Sequence, residues 1–276
     1  MNRDGVFGKQ TGMAGMYGRT VDFRRRTCYN GSTEKHTGKG TIMDNAVFSP
    51  IEESVSFYTR NDFAIMNNLL TGHMDALWER ARVAYEDNRC IIREYENGER
   101  TMDSDYDVKW LNILKKRLIT ELDEETKARI LETAKSDIAN LLGAMIPAET
   151  EMRLYRTAWV AKEYEREPVY PYSLQYRAMD FRVGEIVEIR SITSASLTPY
   201  REDEDVGSDF WRYEITVPQG NPVLPLDVFV CHNEEGEVLL PPMKCRITGI
   251  LPCGNGNTRC RGIITLEYLE RLEVTV

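Results

Sequence analysis

Three short segments in the second half of the chain carry residue types that could do chemistry. The first, Met152-Arg153-Leu154-Tyr155-Arg156-Thr157-Ala158, sets arginines in an apolar stretch of strand character. A guanidinium presents a fork of donors that suits phosphate oxygens better than a lysine point charge does. The second runs from Val183-Gly184-Glu185-Ile186 to Ile192-Thr193-Ser194-Ala195-Ser196-Leu197 and ends in small hydroxyl residues. The third is Glu234-Glu235-Gly236-Glu237-Val238-Leu239-Leu240-Pro241, where carboxylates lead straight into an apolar strand. In an extended segment Glu235 and Glu237 face one side, about 6 to 7 Å apart, so both can reach one cavity. Singly, each segment has an ordinary structural reading: an ion pair or edge charge, a turn device, or a solvated loop that blocks edge aggregation.

Their order and spacing, with about forty residues between successive segments, say more. Together they resemble the arginine–serine–glutamate class of mono-ADP-ribosyltransferases, which includes bacterial exoenzyme toxins and phage-borne transferases. Two further phrases fit the same pattern: Val217-Pro218-Gln219-Gly220, and Arg246-Ile247-Thr248-Gly249-Ile250 after the glutamate loop. The resemblance covers about residues 150–276 and is most specific at Glu-x-Glu-Val-Leu-Leu-Pro.

What the resemblance implies can be given residue by residue. Glu237, directly before Val-Leu-Leu-Pro, takes the place of the family's invariant glutamate and would stabilise the oxocarbenium-like ribose as NAD loses nicotinamide. Arg156 takes the place of the strand arginine that grips an NAD phosphate. Arg153 is the competing choice, expected on the same sheet face so that alternation does not choose between them, and the Tyr155-Arg156 pairing favours Arg156. Ser194 matches the first serine of the serine–threonine–serine motif, and Ser196 the last, with Ala195 in place of threonine. Glu235 would orient an acceptor guanidinium and help remove its proton, which implies transfer to a protein with an accessible arginine. Arg201 would add a phosphate contact, Phe210 would stack on nicotinamide, and Phe229 would recognise the protein substrate. The implied donor is NAD, and no metal is called for. Water in place of the acceptor gives an NAD glycohydrolase. A non-enzymatic docking module on the same fold is the competing class, although such a module needs none of Arg156, Ser194, Glu235 and Glu237.

The elements that must position these residues change character along the chain. Residues 1–50 are rich in Gly, Thr, Arg and Asn without helix or strand periodicity and read as a flexible basic lead. Apolar residues then recur at helical spacing: Met66, Leu69, Leu70, Met74, Leu77, Trp78 and Ala81 form one stripe, and Val108, Leu111, Leu114 and Leu118 a second. A third follows the acidic Asp123-Glu124-Glu125 and runs through Ile130, Ala134, Ile138, Leu141 and Leu142. From about Met152 strands take over at 154–160, 186–192, 211–217, 228–231, 237–240, 244–251 and 262–274. The expected fold is α+β: N-terminal helices (52–147) packed on a two-sheet, mostly antiparallel β core (150–276), together one domain over 51–276.

Length and composition are consistent with that layout. The 276 residues are 42% hydrophobic, enough to bury a core. No run of eighteen apolar residues occurs, so no membrane-spanning helix is expected. Met1 to Thr20 is polar and glycine-rich, unlike a secretory signal peptide, which predicts a cytoplasmic protein or one exported by a dedicated machine. The net charge of −9 divides into +5 for residues 1–43 and −14 for the remainder. So acidic a body disfavours nucleic acid and attracts basic surfaces. The six cysteines form no Cys-x-x-Cys pair and only three histidines accompany them, which argues against zinc. Cys253 and Cys260 flank a Gly-Asn-Gly-Asn turn and can face each other across a hairpin, but reduced thiols are the expectation.

Overall fold

The computed structural model describes residues 48–59, 63–101, 104–118, 121–160, 180–199, 209–227, 229, 236–253 and 259–274. Residues 1–47 of the expected lead and most of the expected strand 228–231 lie outside them, while residues 49–50 of that lead already begin the first helix.

Each helix begins where a side chain satisfies its free N–H groups or where a break in the chain demands it. Helix α1 (Pro50–Phe57) is capped by Ser49, whose hydroxyl accepts from the Glu52 N–H while the Glu52 carboxylate accepts from the Ser49 N–H. Pro50 stands at the first helical position, where its missing N–H costs nothing. The stripe expected to run unbroken from Met66 to Ala81 is split into α2 (Phe63–Thr71) and α3 (Met74–Glu96). The break falls at Gly72, which adopts φ 75° between them. Helices α4 (Asp105–Arg117) and α5 (Glu124–Gly143) are capped by Ser104 and Asp123, so Asp123 is the cap itself rather than a first-turn residue.

The strands are β1 (Ile146–Pro147), β2 (Met152–Val160), β3 (Ile186–Ile189), β4 (Thr193–Ser196), β5 (Asp209–Val217), β6 (Pro222–Pro225), β7 (Glu237–Leu240), β8 (Met243–Leu251) and β9 (Cys260–Arg271). Their order is β1-β6-β7-β4-β2-β5-β9-β8-β3, antiparallel throughout except for β5 beside β9. The two expected sheets are therefore one connected ladder. Two halves can nevertheless be distinguished, because β2 meets β4 at the single pair Tyr155↔Ser196, whereas β2 runs alongside β5 over its whole length. The stretch expected as one strand over 186–192 ends at Ile189, since β3 pairs with β8 at one end of the ladder and β4 pairs with β7 in its other half.

The helices pack on the β4–β7 half. Ile192, Leu224, Leu226 and Leu239 join Val55, Phe57, Met66, Trp110, Leu114, Ile138 and Leu141 in one buried cluster. A second cluster joins Leu154, Tyr213, Ile215, Ile247 and Leu266 from the other half of the ladder to Ala195, Val223, Val238 and Leu240. Among the helices, Arg117 donates to both Glu53 and Asp137 and lies 3.6 Å from the centre of the Phe57 ring. Cys253 and Cys260 are joined as a disulfide with their Cα atoms 5.9 Å apart, against the expectation of reduced thiols; the β8–β9 hairpin brings them within bridging distance. Among the described residues no helix is long and apolar enough to cross a membrane.

Candidate active site

The junction of the two half-ladders is where the candidate residues gather. Arg156 comes from β2, Ser194 from β4 and Glu237 from the first position of β7. All three line one cleft of about 230 Å³, together with Tyr58, Thr59, Phe63 and Asn67 from the helical side and Tyr213 from β5. The Arg156 Nη1 donates to the Ser194 carbonyl oxygen at 2.6 Å. The Ser194 hydroxyl donates to Glu237 Oε1 at 2.5 Å. Ser194 thus links the guanidinium and the carboxylate through its two polar groups, from a strand flanked by both.

Why these side chains converge follows from the pairing. Glu237 stands opposite Ser196, and Ser194 lies two residues back on the same face of β4, within diagonal reach of the carboxylate. Gly236, immediately before Glu237, has φ 61°, a conformation that side-chain-bearing residues rarely adopt. A Cβ there would also sit 2.8 Å from Leu197 Cδ1 and 3.1 Å from Leu197 Cβ. The bare backbone at Gly236 therefore lets Leu197 close over it, and the Leu197 N–H donates to the Gly236 carbonyl at 3.1 Å.

The competing arginine is resolved by alternation along β2. Against the expectation of a shared face, Arg153 is three residues from Arg156 and so stands on the opposite face, where it pairs with Glu214 and remains largely exposed. Ser196 is buried but does not line the cleft; its hydroxyl donates to the Thr198 carbonyl at 2.6 Å and approaches the Tyr155 carbonyl at 3.4 Å, tying down the β2–β4 junction. Phe210 is buried at the start of β5 with the Arg212 guanidinium 5.6 Å from its ring, and it does not line the cleft. Phe229 packs against the helical core cluster rather than the cleft. Glu235 and Arg201 lie outside the described residues.

Sequence reasoning named none of the helical residues that wall the cleft. The Tyr58 hydroxyl donates to the Ile192 carbonyl at 2.8 Å, and the Asn67 side chain both donates to that carbonyl and accepts from the Ile192 N–H. These bonds hold the chain just before Thr193 and Ser194. Burial pushes the Tyr58 phenol up to about 12, partly opposed by the nearby Arg156 guanidinium and the Asn67 hydrogen bond and reinforced by the Glu237 charge. Burial likewise raises the Tyr213 phenol, against the pull of Arg156. A signal for this wall was present in the sequence: Asn67 and Asn68 interrupt the apolar run of α2, and buried amides in a helix call for polar partners.

A larger cavity of about 600 Å³ opens among α1, α3 and α5, but Lys116 and Arg117 on its wall already pair with Glu53 and Asp137. Among the described residues no cluster of three or more His, Cys, Asp or Glu could hold a metal ion.

No known family profile matches the chain, and no curated protein is similar to it in sequence. Solved structures similar to it include the ATR domain of Salmonella SpvB, 16% identical over 81% of this chain and 100% of that one, with a TM-score of 0.45. The catalytic domain of VahC from Aeromonas hydrophila is 16% identical over 81% of this chain and 100% of that one, with a TM-score of 0.44. C3larvin toxin, an ADP-ribosyltransferase from Paenibacillus larvae, is 14% identical over 81% and 88% of the two chains, with a TM-score of 0.44.

Proposed function

We propose that this protein cleaves NAD and transfers its ADP-ribose to a protein, on an arginine side chain. The observation that carries this reading is the Arg156–Ser194–Glu237 chain of hydrogen bonds lining one cleft, from three strands far apart in sequence. A guanidinium beside a carboxylate suits a substrate that is anionic at one end and develops positive charge at the other. NAD meets that description through its pyrophosphate and its ribose.

In the proposed reaction the bond between ribose C1′ and the nicotinamide ring nitrogen breaks, and its electron pair leaves with neutral nicotinamide. Glu237 stabilises the cationic ribose that remains, and Ser194, donating to Glu237, fixes where that charge sits. An arginine nitrogen of the acceptor then bonds to C1′ and releases one proton. Glu235 is assigned to orient that guanidinium and take the proton, from its place two residues before Glu237. Arg156 holds a phosphate.

Incubation with NAD, with and without agmatine as an arginine mimic, tests the reading by following free nicotinamide. Wild-type protein releases nicotinamide and Glu237→Gln abolishes release. Glu235→Gln loses transfer to agmatine while retaining hydrolysis. Release that survives Glu237→Gln refutes the role given to that carboxylate, and a wild type inert with every acceptor favours a docking module. Release that agmatine and protein acceptors leave unmodified identifies an NAD glycohydrolase instead.

A further inference from the structure

Tyr213 is the residue on the cleft wall whose chemistry the proposed reaction has not used. It is only 3% exposed, and its hydroxyl has no hydrogen-bond partner among the described residues. Other polar groups on the same wall are engaged internally: Tyr58 and Asn67 with Ile192, Thr59 with the Val55 carbonyl, and Ser194 with Glu237. Tyr213 stands directly opposite Arg156 in the β2–β5 register, so the two side chains rise from the same sheet face beside each other. Phenylalanine would fill the same space without the penalty of an unpaired buried hydroxyl. An acceptor arriving with the substrate removes that penalty, and beside a guanidinium the favoured acceptor is an anionic oxygen.

We infer that Tyr213 is a second phosphate-binding residue, its phenol donating to a pyrophosphate oxygen of the dinucleotide that Arg156 grips. The inference rests on the NAD reading above and names a contact within the same site. The phenol is suited to the task because burial keeps it protonated, and hence a donor, at neutral pH.

Calorimetric titration of wild type, Tyr213→Phe and Tyr268→Phe with ADP-ribose and with nicotinamide riboside tests it. ADP-ribose carries the pyrophosphate and nicotinamide riboside carries no phosphate. Tyr268 is a buried phenol that also lacks a partner among the described residues but does not line the cleft, so its variant is the control. Tyr213→Phe is expected to weaken ADP-ribose binding about tenfold, leave nicotinamide riboside unchanged, and keep or raise the unfolding temperature of the free protein. Tyr268→Phe leaves both affinities unchanged. Equal loss for both ligands, loss for neither, or a lowered unfolding temperature in Tyr213→Phe overturns the inference. A wild type that neither binds ADP-ribose nor releases nicotinamide removes the NAD reading and this inference together, whereas wild-type binding that Tyr213→Phe leaves intact sinks the inference alone.

Discussion

Asn67 and Ile192 are locked to each other through both polar atoms of one amide and both polar atoms of one residue's backbone, at 3.1 and 2.9 Å. The pair joins helix α2 to the residue that leads into Thr193 and Ser194. Replacing Asn67 by Ala leaves a buried N–H unsatisfied, which costs about 1–3 kcal/mol. Thermal unfolding should show that loss, and nicotinamide release should fall as Ser194 is freed from its position relative to Glu237. An Asn67→Ala protein as stable as wild type would show that the clamp is dispensable.

Gly236 meets two separate constraints, a backbone in the left-handed region and a neighbour too close for a Cβ. Gly236→Ala should cost about 1–2 kcal/mol from conformation alone and displace Glu237. Adding Leu197→Ala removes the contact with the side-chain end at 2.8 Å but leaves the Leu197 Cβ at 3.1 Å and the backbone strain. Urea unfolding of the single and double variants should therefore show partial recovery; full recovery would mean that the conformation at 236 costs nothing.

The ion pairs of Arg117 and Arg153 should differ sharply in worth. Arg117 is mostly buried between Glu53 and Asp137, so Arg117→Met leaves buried Asp137 without its cation and Glu53 with only the exposed Lys116, and should cost about 3–5 kcal/mol. Arg153, exposed beside Glu214, should cost less than about 1 kcal/mol on the same change. Chemical denaturation midpoints compare them directly, and equal effects would contradict the burial argument.

Alkaline pH should reveal Tyr58. Its ordinary value of 10 is raised to about 12 in the folded protein, so the folded state holds this proton more tightly than the unfolded chain does. Stability from this group is fully present below pH 10 and is lost as pH rises through about 12. Unfolding temperature measured across that window should fall for wild type and fall less steeply for Tyr58→Phe. Parallel slopes would assign the alkaline loss to other groups.

Much of this could be read from residue order. The 3.6-residue stripes located α3, α4 and α5 because an amphipathic helix must bury one face, and Arg156, Ser194 and Glu237 stood out because their motifs are short and ordered. Alternation missed β1 and β6, which contain prolines, and β4, whose Thr-Ser-Ala-Ser shows no apolar alternation. The break at Gly72 was hidden because apolar spacing continued across it.

Sequence by itself determined which residue types were available for chemistry and the local elements that carry them, because both depend on near neighbours. Tertiary structure alone decided that β5 lies parallel to β9, that β2 and β4 touch at one pair, and that Tyr58, Asn67 and Tyr213 join Arg156, Ser194 and Glu237 around one cleft. Those relations depend on strand order and on helices packing across more than a hundred residues of chain, and neither leaves a periodic trace in the residues concerned.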